Sequence, residues 1–328
     1  MEPKLTIVYH LHNSYVNTKE SILSILSQTD KNFNVVCILD NIDNGIKKLL
    51  ADKDIMGLAN LKKVVSTIIL DKTLGHSWCF NQANKLVKTP YVYYASGGCI
   101  FHKDFVKEIN NKLEESNPDL LIFNYDEKAY EHFLTLTEKT DNYHFYQTFL
   151  KSYTNKIFKF SFLKSHNISF AEFKHYTFYF VYKVISHSPY IEQLPKVLVD
   201  VTFSKHPGYN TYDVLSQFEE IYTKHKDSEF FKQFHDSIEY MFIRTAFFTF
   251  LYYMYRNTYK ENKKAFKISV EKAANSVEKY APNWRKNIYL NEKDTMDSPY
   301  IWNYLKNFDT NIKKIAKLME RVQKENVL

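Results

Sequence analysis

Between residues 5 and 130, short apolar runs suited to buried strands alternate with stretches of helical periodicity. This alternation constrains the fold more than any other feature of the chain. Leu5-Thr6-Ile7-Val8-Tyr9 reads as a strand, and Thr18 stands where it can cap a helix whose Ile22, Ile25 and Leu26 share one face. Asn34 to Leu39 is a second apolar run; it ends at Asp40 and the turn-rich Asn41-Ile42-Asp43-Asn44-Gly45, and a helix starts at about Ile46. Val64 to Leu70 leads to Gly75 and a helix carrying Phe80, Ala83, Leu86 and Val87, and Tyr91 to Tyr94 and Leu120 to Phe123 supply further strands. Apolar strands separated by helices imply parallel pairing with right-handed crossovers, hence an α/β fold built on a doubly wound, mostly parallel sheet. Ligands of such sheets bind at the carboxyl ends of the strands. Those ends are His10 to Asn13, Asp40 to Asn44, Asp71 to Gly75 and Ser96 to Cys99.

From about Gln217 the alternation gives way to long helical patterns: Val214 to Lys226, Phe230 to Thr258, Lys264 to Tyr280 and Ile301 to Lys324. The expected division is an α/β domain over 1–215 and a helical C-terminal domain over 216–328. The aromatic run Phe242 to Tyr255 is apolar almost all round, which calls for burial inside the helical domain. Self-association into a homo-oligomer through this domain is the second use of such a run, and contact with a membrane surface the third. The longest apolar run, Thr245 to Tyr255, is bounded by Arg244 and Arg256 and is too short for the about 20 residues that span a bilayer.

With 328 residues, 45% of them hydrophobic, the chain can bury a full core. Its net charge of +7 is spread without an Arg/Lys tract, so no nucleic acid groove is expected; a phosphate-bearing small molecule or an anionic membrane surface fits as well. Cys37, Cys79 and Cys99 are odd in number and lack a Cys-x-x-Cys pair or a nearby ligand-spaced His, which argues for reduced thiols and against a disulfide framework or a zinc site. His10 and His12 lie one strand period apart with no third ligand near them in sequence, so no metal ligands are assigned. Met1 to Thr6 carries no basic-then-apolar leader. The expectation is a cytoplasmic protein, peripheral to the inner face of the membrane if it touches one.

His10-Leu11-His12-Asn13 after the first strand, Ser24-Ile25-Leu26-Ser27-Gln28-Thr29 in the first helix, Ile38-Leu39-Asp40-Asn41 at the second strand end, and Gly75 and Asn81 around the third helix follow in order. Ile157-Phe158-Lys159 and Ile168-Ser169-Phe170-Ala171-Glu172 extend the series. Together they resemble the family-two glycosyltransferases of GT-A fold over roughly residues 4 to 210. The resemblance implies a nucleotide-sugar donor, inverting transfer, and a glycan, lipid-linked or protein acceptor. Its donor-binding residues would be His12, Asn13, Asp40, Lys72, Gly75, Asn81, Ser96 and Gly98, with Asp40 on the nucleoside. Pro282-Asn283-Trp284-Arg285-Lys286-Asn287 resembles a segment of bacterial surface-glycan transferases.

The chain departs from that family at two points. The Asp-x-Asp that would hold Mn or Mg across the diphosphate falls on Ser96 and Gly98, which cannot make a hard-cation carboxylate site. The acceptor-side acid pair falls within His175-Tyr176-Thr177, leaving Glu172 or His175 as the catalytic base. A positioned base is worth roughly 10²–10⁴ in rate and a Lewis acid several kcal/mol. The sequence therefore supports two readings: a metal-independent transferase in which Lys72, His76, Lys103, Lys205 or His206 neutralises the leaving diphosphate, or an inactive pseudo-transferase serving as a binding or scaffold subunit.

Overall fold

The computed structural model describes residues 2–12, 17–51, 64–127, 132–133, 153–172, 177–202, 212–292 and 297–325. The described residues up to 202 form one compact unit and those from 212 onward a second.

The first unit opens with β1 (Leu5–Leu11), α1 (Thr18–Leu26), β2 (Phe33–Asp40), α2 (Asn44–Leu50), β3 (Val64–Leu70), α3 (His76–Asn84) and β4 (Tyr91–Ser96). These strands pair in parallel in the order β3-β2-β1-β4, the doubly wound half read from the sequence. Thr18 is the first residue of α1 rather than its cap; Asn17, in the left-handed region at φ 62°, precedes it without a capping side-chain bond.

Beyond β4 the sheet becomes mixed. Next come β5 (Cys99–Phe101), α4 (Phe105–Ser116), β6 (Leu120–Glu127), β7 (His132–Phe133), β8 (Lys156–Lys159), α5 (Phe160–Ser165), α6 (Phe178–His187) and β9 (Ile191–Val201). The spatial order continues β4-β8-β6-β9-β5, with β7 paired to β6; β8 runs antiparallel to both β4 and β6, while β9 is parallel to β6.

Period-2 alternation separates two faces. Leu5, Ile7, Tyr9 and Leu11 of β1 join Val35, Cys37, Tyr93 and Phe105 in one apolar core. Thr6, Val8, His10 and, on the neighbouring strands, Asp40, Tyr94 and Ser96 belong to the opposite face. An aromatic cluster fills that face: Phe80 lies 5.0 Å from Tyr94 and 5.3 Å from Phe170, and Phe170 stacks on Phe180 at 3.8 Å.

The Ser24 to Thr29 motif fastens α1 to the segment after β4. Ser24 Oγ accepts the Phe101 N–H at 3.0 Å. Gln28 donates to the His102 carbonyl at 2.8 Å and accepts the Val106 N–H at 2.9 Å. Both side chains are buried, so each bond replaces water that the site has lost.

The second unit contains α7 (Asp213–His225), α8 (Glu229–Gln233), α9 (His235–Arg244), α10 (Leu251–Met254), α11 (Lys263–Tyr280), α12 (Ile288–Asn291), α13 (Pro299–Lys306) and α14 (Ile312–Glu325). The expected helix from Phe230 to Thr258 is interrupted: α8 and α9 meet at Phe234, and π-turns at Thr245–Phe250 and Tyr255–Tyr259 flank α10. Phe242, Phe247, Phe248, Phe250 and Leu251 are all buried, as their apolar surroundings require. The expected helix from Ile301 to Lys324 is two helices. Asp309 accepts the Asn311 N–H, and Asn311 accepts the N–H groups of Lys313 and Lys314, so local side-chain caps end one helix and start the next. Among the described residues, no helix is long and apolar enough to cross a membrane.

Candidate functional site

Three strand ends converge on one buried carboxylate. Asp40 closes β2 with no exposed surface, and its Oδ2 lies 3.0 Å from His10 Nε2 on β1, itself 2% exposed. Its Oδ1 accepts the Leu74 N–H at 3.1 Å from the loop after β3. Burial pushes the Asp40 carboxyl up, but the hydrogen bond and charge of His10, the Leu74 amide and the charge of His12 together outweigh it and hold the group below its usual value. Both oxygens are engaged inside the protein, so Asp40 organises this strand edge from beneath instead of lying open on it.

An exposed polar layer covers this pair. His12 Nε2 lies 3.2 Å from Thr73 Oγ1, and Asn41 donates its side-chain amide to the same hydroxyl at 3.3 Å. Asn41 holds the left-handed conformation at φ 51°, and its N–H donates to the Leu70 carbonyl at 2.9 Å, carrying the β2–β3 pairing past the strand ends. The rings of His10 and His12 are parallel, with centroids 6.5 Å apart. Lys72 is exposed on the adjoining loop. Gly75, at φ 80° and ψ 154°, takes a conformation that side chains disfavour, and it turns the chain into α3.

The end of β4 is built differently. Ser96 is paired with His10 in register and its hydroxyl lies 3.7 Å from Cys99 Sγ. The Gly97 N–H donates to the His10 carbonyl at 2.9 Å, and the Gly98 carbonyl accepts the Thr202 N–H at 3.0 Å. The turn thus offers one hydroxyl and no carboxylate, and this donor set does not fit a Mn or Mg ion.

The structure brings His12, Asp40 and Lys72 to one sheet edge with Gly75, and puts Ser96 and Gly98 at the adjacent strand end. Asn81 is elsewhere: its amide donates to the Phe170 carbonyl at 2.9 Å and accepts the Phe170 N–H at 3.0 Å, a clamp between α3 and the segment after α5. Glu172 ends that segment, exposed. Asn13, His175, Lys205 and His206 lie outside the described residues.

Several residues at these strand ends carry no sequence motif. Thr73 and the Leu74 amide act through loop geometry. Cys79, on the first turn of α3, is buried against Asp40; burial, then the Asp40 charge and hydrogen bond, raise its thiol well above the ordinary value. Lys156 on β8 is 1% exposed, and burial lowers its ammonium to about 7. It shares the strand face of Phe158, whose ring lies 5.7 Å from Tyr94 of β4, and donates to Asn155 Oδ1 at 2.8 Å. A lysine opening the otherwise apolar Lys156-Ile157-Phe158 run was the available signal.

The sequence profile of glycosyl transferase family 2 matches residues 6–171, just over half of the chain. No curated protein matches. Among solved structures, the chain is similar to residues 1–349 of Staphylococcus aureus TarS in complex with UDP-GlcNAc, with a TM-score of 0.70 at 15% identity over 98% of this chain and 92% of that one. Against the longer TarS structure the TM-score is 0.60 at 14% identity, covering 55% of it. The mannosyltransferase PcManGT of Pyrobaculum calidifontis, in complex with GDP-Man and Mn2+, aligns with a TM-score of 0.55 at 10% identity over 99% of this chain and 88% of that one. These likenesses establish the GT-A fold.

Proposed function

Because the chain belongs to glycosyl transferase family 2, we propose that it transfers a sugar, with inversion, from a nucleotide-sugar donor to a glycan, lipid-linked or protein acceptor of bacterial surface-glycan synthesis, without a divalent cation. The observation that carries this reading is the polar edge at the ends of β1, β2 and β3. There His12, Asn41 and Thr73 are linked at 3.2 and 3.3 Å above a buried, ionised Asp40. Such groups offer donors and acceptors to a nucleobase and ribose. The diphosphate would then lie over the Ser96 to Cys99 turn, with Lys72 and Lys103 as sources of positive charge in place of a metal, since positioned cations stabilise a developing phosphate charge electrostatically. Glu172 or His175 would accept the acceptor hydroxyl's proton. The acceptor class rests on Pro282 to Asn287, whose Trp284 is buried and donates to Glu278 at 2.9 Å.

Calorimetric titration with UDP- and GDP-sugars, with and without Mn2+, tests the reading. Donor binding that is independent of Mn2+, lost in Asp40→Ala and accompanied by sugar transfer, supports it. The missing carboxylates at Ser96 and Gly98 favour a second reading, a binding or scaffold subunit. Donor binding without any hydrolysis or transfer supports that one, and the absence of nucleotide binding removes the first.

A further inference from the structure

We infer that His10, Asp40 and Cys79 form a zinc site that ties β1, β2 and α3 together beneath the donor edge. One ligand atom from each of the three side chains lies within 4.8 Å of the others. All three are buried, with Asp40 and Cys79 showing no exposed surface and His10 2%. Tetrahedral zinc takes a thiolate at about 2.3 Å, an imidazole nitrogen at about 2.0 Å and a carboxylate oxygen at about 2.0–2.2 Å, which sets neighbouring ligand atoms about 3–4 Å apart. The observed spacing of the trio, within 4.8 Å, is close to what the ion requires. Sequence distance hid the cluster, since its members stand 30 and 39 residues apart in order and meet only through parallel strand register and the turn at Gly75.

The surroundings already orient the ligands. The Leu74 N–H holds Asp40 Oδ1 at 3.1 Å, leaving Oδ2 directed at His10, and metal-bound carboxylates are usually fixed by such a second hydrogen bond. The His10 ring is held between the parallel His12 ring and the edge of Phe80, 6.0 Å away, so its nitrogen cannot swing into water. Cys79 is set by the first turn of α3, where its N–H donates to the Gly75 carbonyl at 3.1 Å.

The ligand chemistry selects the ion. A thiol, an imidazole and one carboxylate suit zinc and exclude the Mg and Mn that all-oxygen sites hold. Binding displaces the Cys79 proton to solvent, while Asp40 enters ionised and His10 through a ring-nitrogen lone pair, so at least one proton is released per ion. Three protein ligands leave a fourth position for a water molecule. The three ligands come from β1, β2 and α3 and include no residue of the β4 turn, so the ion would not stand in for the cation that the family resemblance implies on the diphosphate.

The test uses the untagged full chain, stripped with chelator and titrated with Co2+ as an optical probe for zinc. The expected result is a near-ultraviolet thiolate-to-cobalt band that saturates at one ion per chain and is bleached by Zn2+. At least one proton should be released per ion, and the apparent Tm should rise with added Zn2+. Cys79→Ser should abolish the band, His10→Gln should weaken Zn2+ binding by more than the about 10- to 100-fold that losing a ligand's outer partner costs, and Cys37→Ser should leave both intact. A band that survives Cys79→Ser, or no band in a folded wild-type chain at millimolar Co2+, means a hydrogen-bonded triad only and overturns the assignment.

Discussion

The ends of β2 and β4 are two strands apart in one parallel sheet, yet their chemistry is opposite. At β2 an acid remains, fully buried, with an imidazole on one oxygen and an amide on the other. At β4 the acids are gone, and a serine and two glycines spend their polar groups on Cys99, His10 and Thr202. A buried carboxylate survives only where its charge is compensated on every side. The β4 turn is instead satisfied by two backbone bonds and the Ser96–Cys99 contact, and its Ser96, Gly97 and Gly98 carry no charge to compensate. On the proposed donor-binding reading, this edge would keep the nucleoside end and lack anionic ligands at the diphosphate end.

Removing the acid should break this contrast most severely. Asp40→Ala leaves buried His10 and the Leu74 amide facing each other without an acceptor and should lower folding stability by about 3 kcal/mol in urea unfolding. Donor binding should vanish with it in calorimetry. Asp40→Asn should retain more stability and flatten the acid limb. The Asp40 carboxyl is held below its unfolded value, so its contribution is complete above about pH 4 and is lost as pH falls below that.

Lys156 sharpens the comparison from the β4 side. In the fold its ammonium is lowered to about 7, whereas the unfolded chain keeps that proton to about pH 10. The unfolded state therefore binds more protons between these values, and stability should rise from pH 7 to about pH 10. Below pH 7 the fold carries the whole burden of the buried cation. Lys156→Met should remove that slope and stabilise the protein at pH 6 by about 2 kcal/mol, read from urea unfolding at several pH values.

Asn81→Ala tests whether the family's asparagine serves the donor or the scaffold. Losing both bonds to Phe170 should lower stability by about 1 kcal/mol with donor affinity unchanged within twofold. The smallest effect should come from metal. Mn2+ should shift wild-type donor affinity less than twofold, and Ser96→Asp should create a several-fold Mn2+ response at the β4 end.

Much of the first unit was legible because buried parallel strands leave continuous apolar runs, and β1 to β4 each reach a polar residue at or just past the carboxyl end: His12, Asp40, Asp71 and Ser96. Asp40 and Gly75 could be found in that way. Cys79 was not, because it sits in no local pattern and acquires meaning only when the fold places it beside Asp40; Lys156 showed only as a charge opening an apolar run. The mixed half of the sheet was harder, since β8 is four residues long and β9 contains Pro195, exposed Lys196 and register shifts that disrupt the apolar alternation. In the second unit helical periodicity was plain, yet it ran through the break at Asn307 to Asn311, where the decisive signal is side-chain capping.

The Asn81 clamp has a mechanical consequence. One end of it rides on the helix that also carries Cys79 and begins at Gly75; the other grips the main chain two residues before Glu172. Under the proposed function, this would couple the donor side to the acceptor side: a shift of α3 on nucleotide binding would pass, through two hydrogen bonds, to the segment before Glu172.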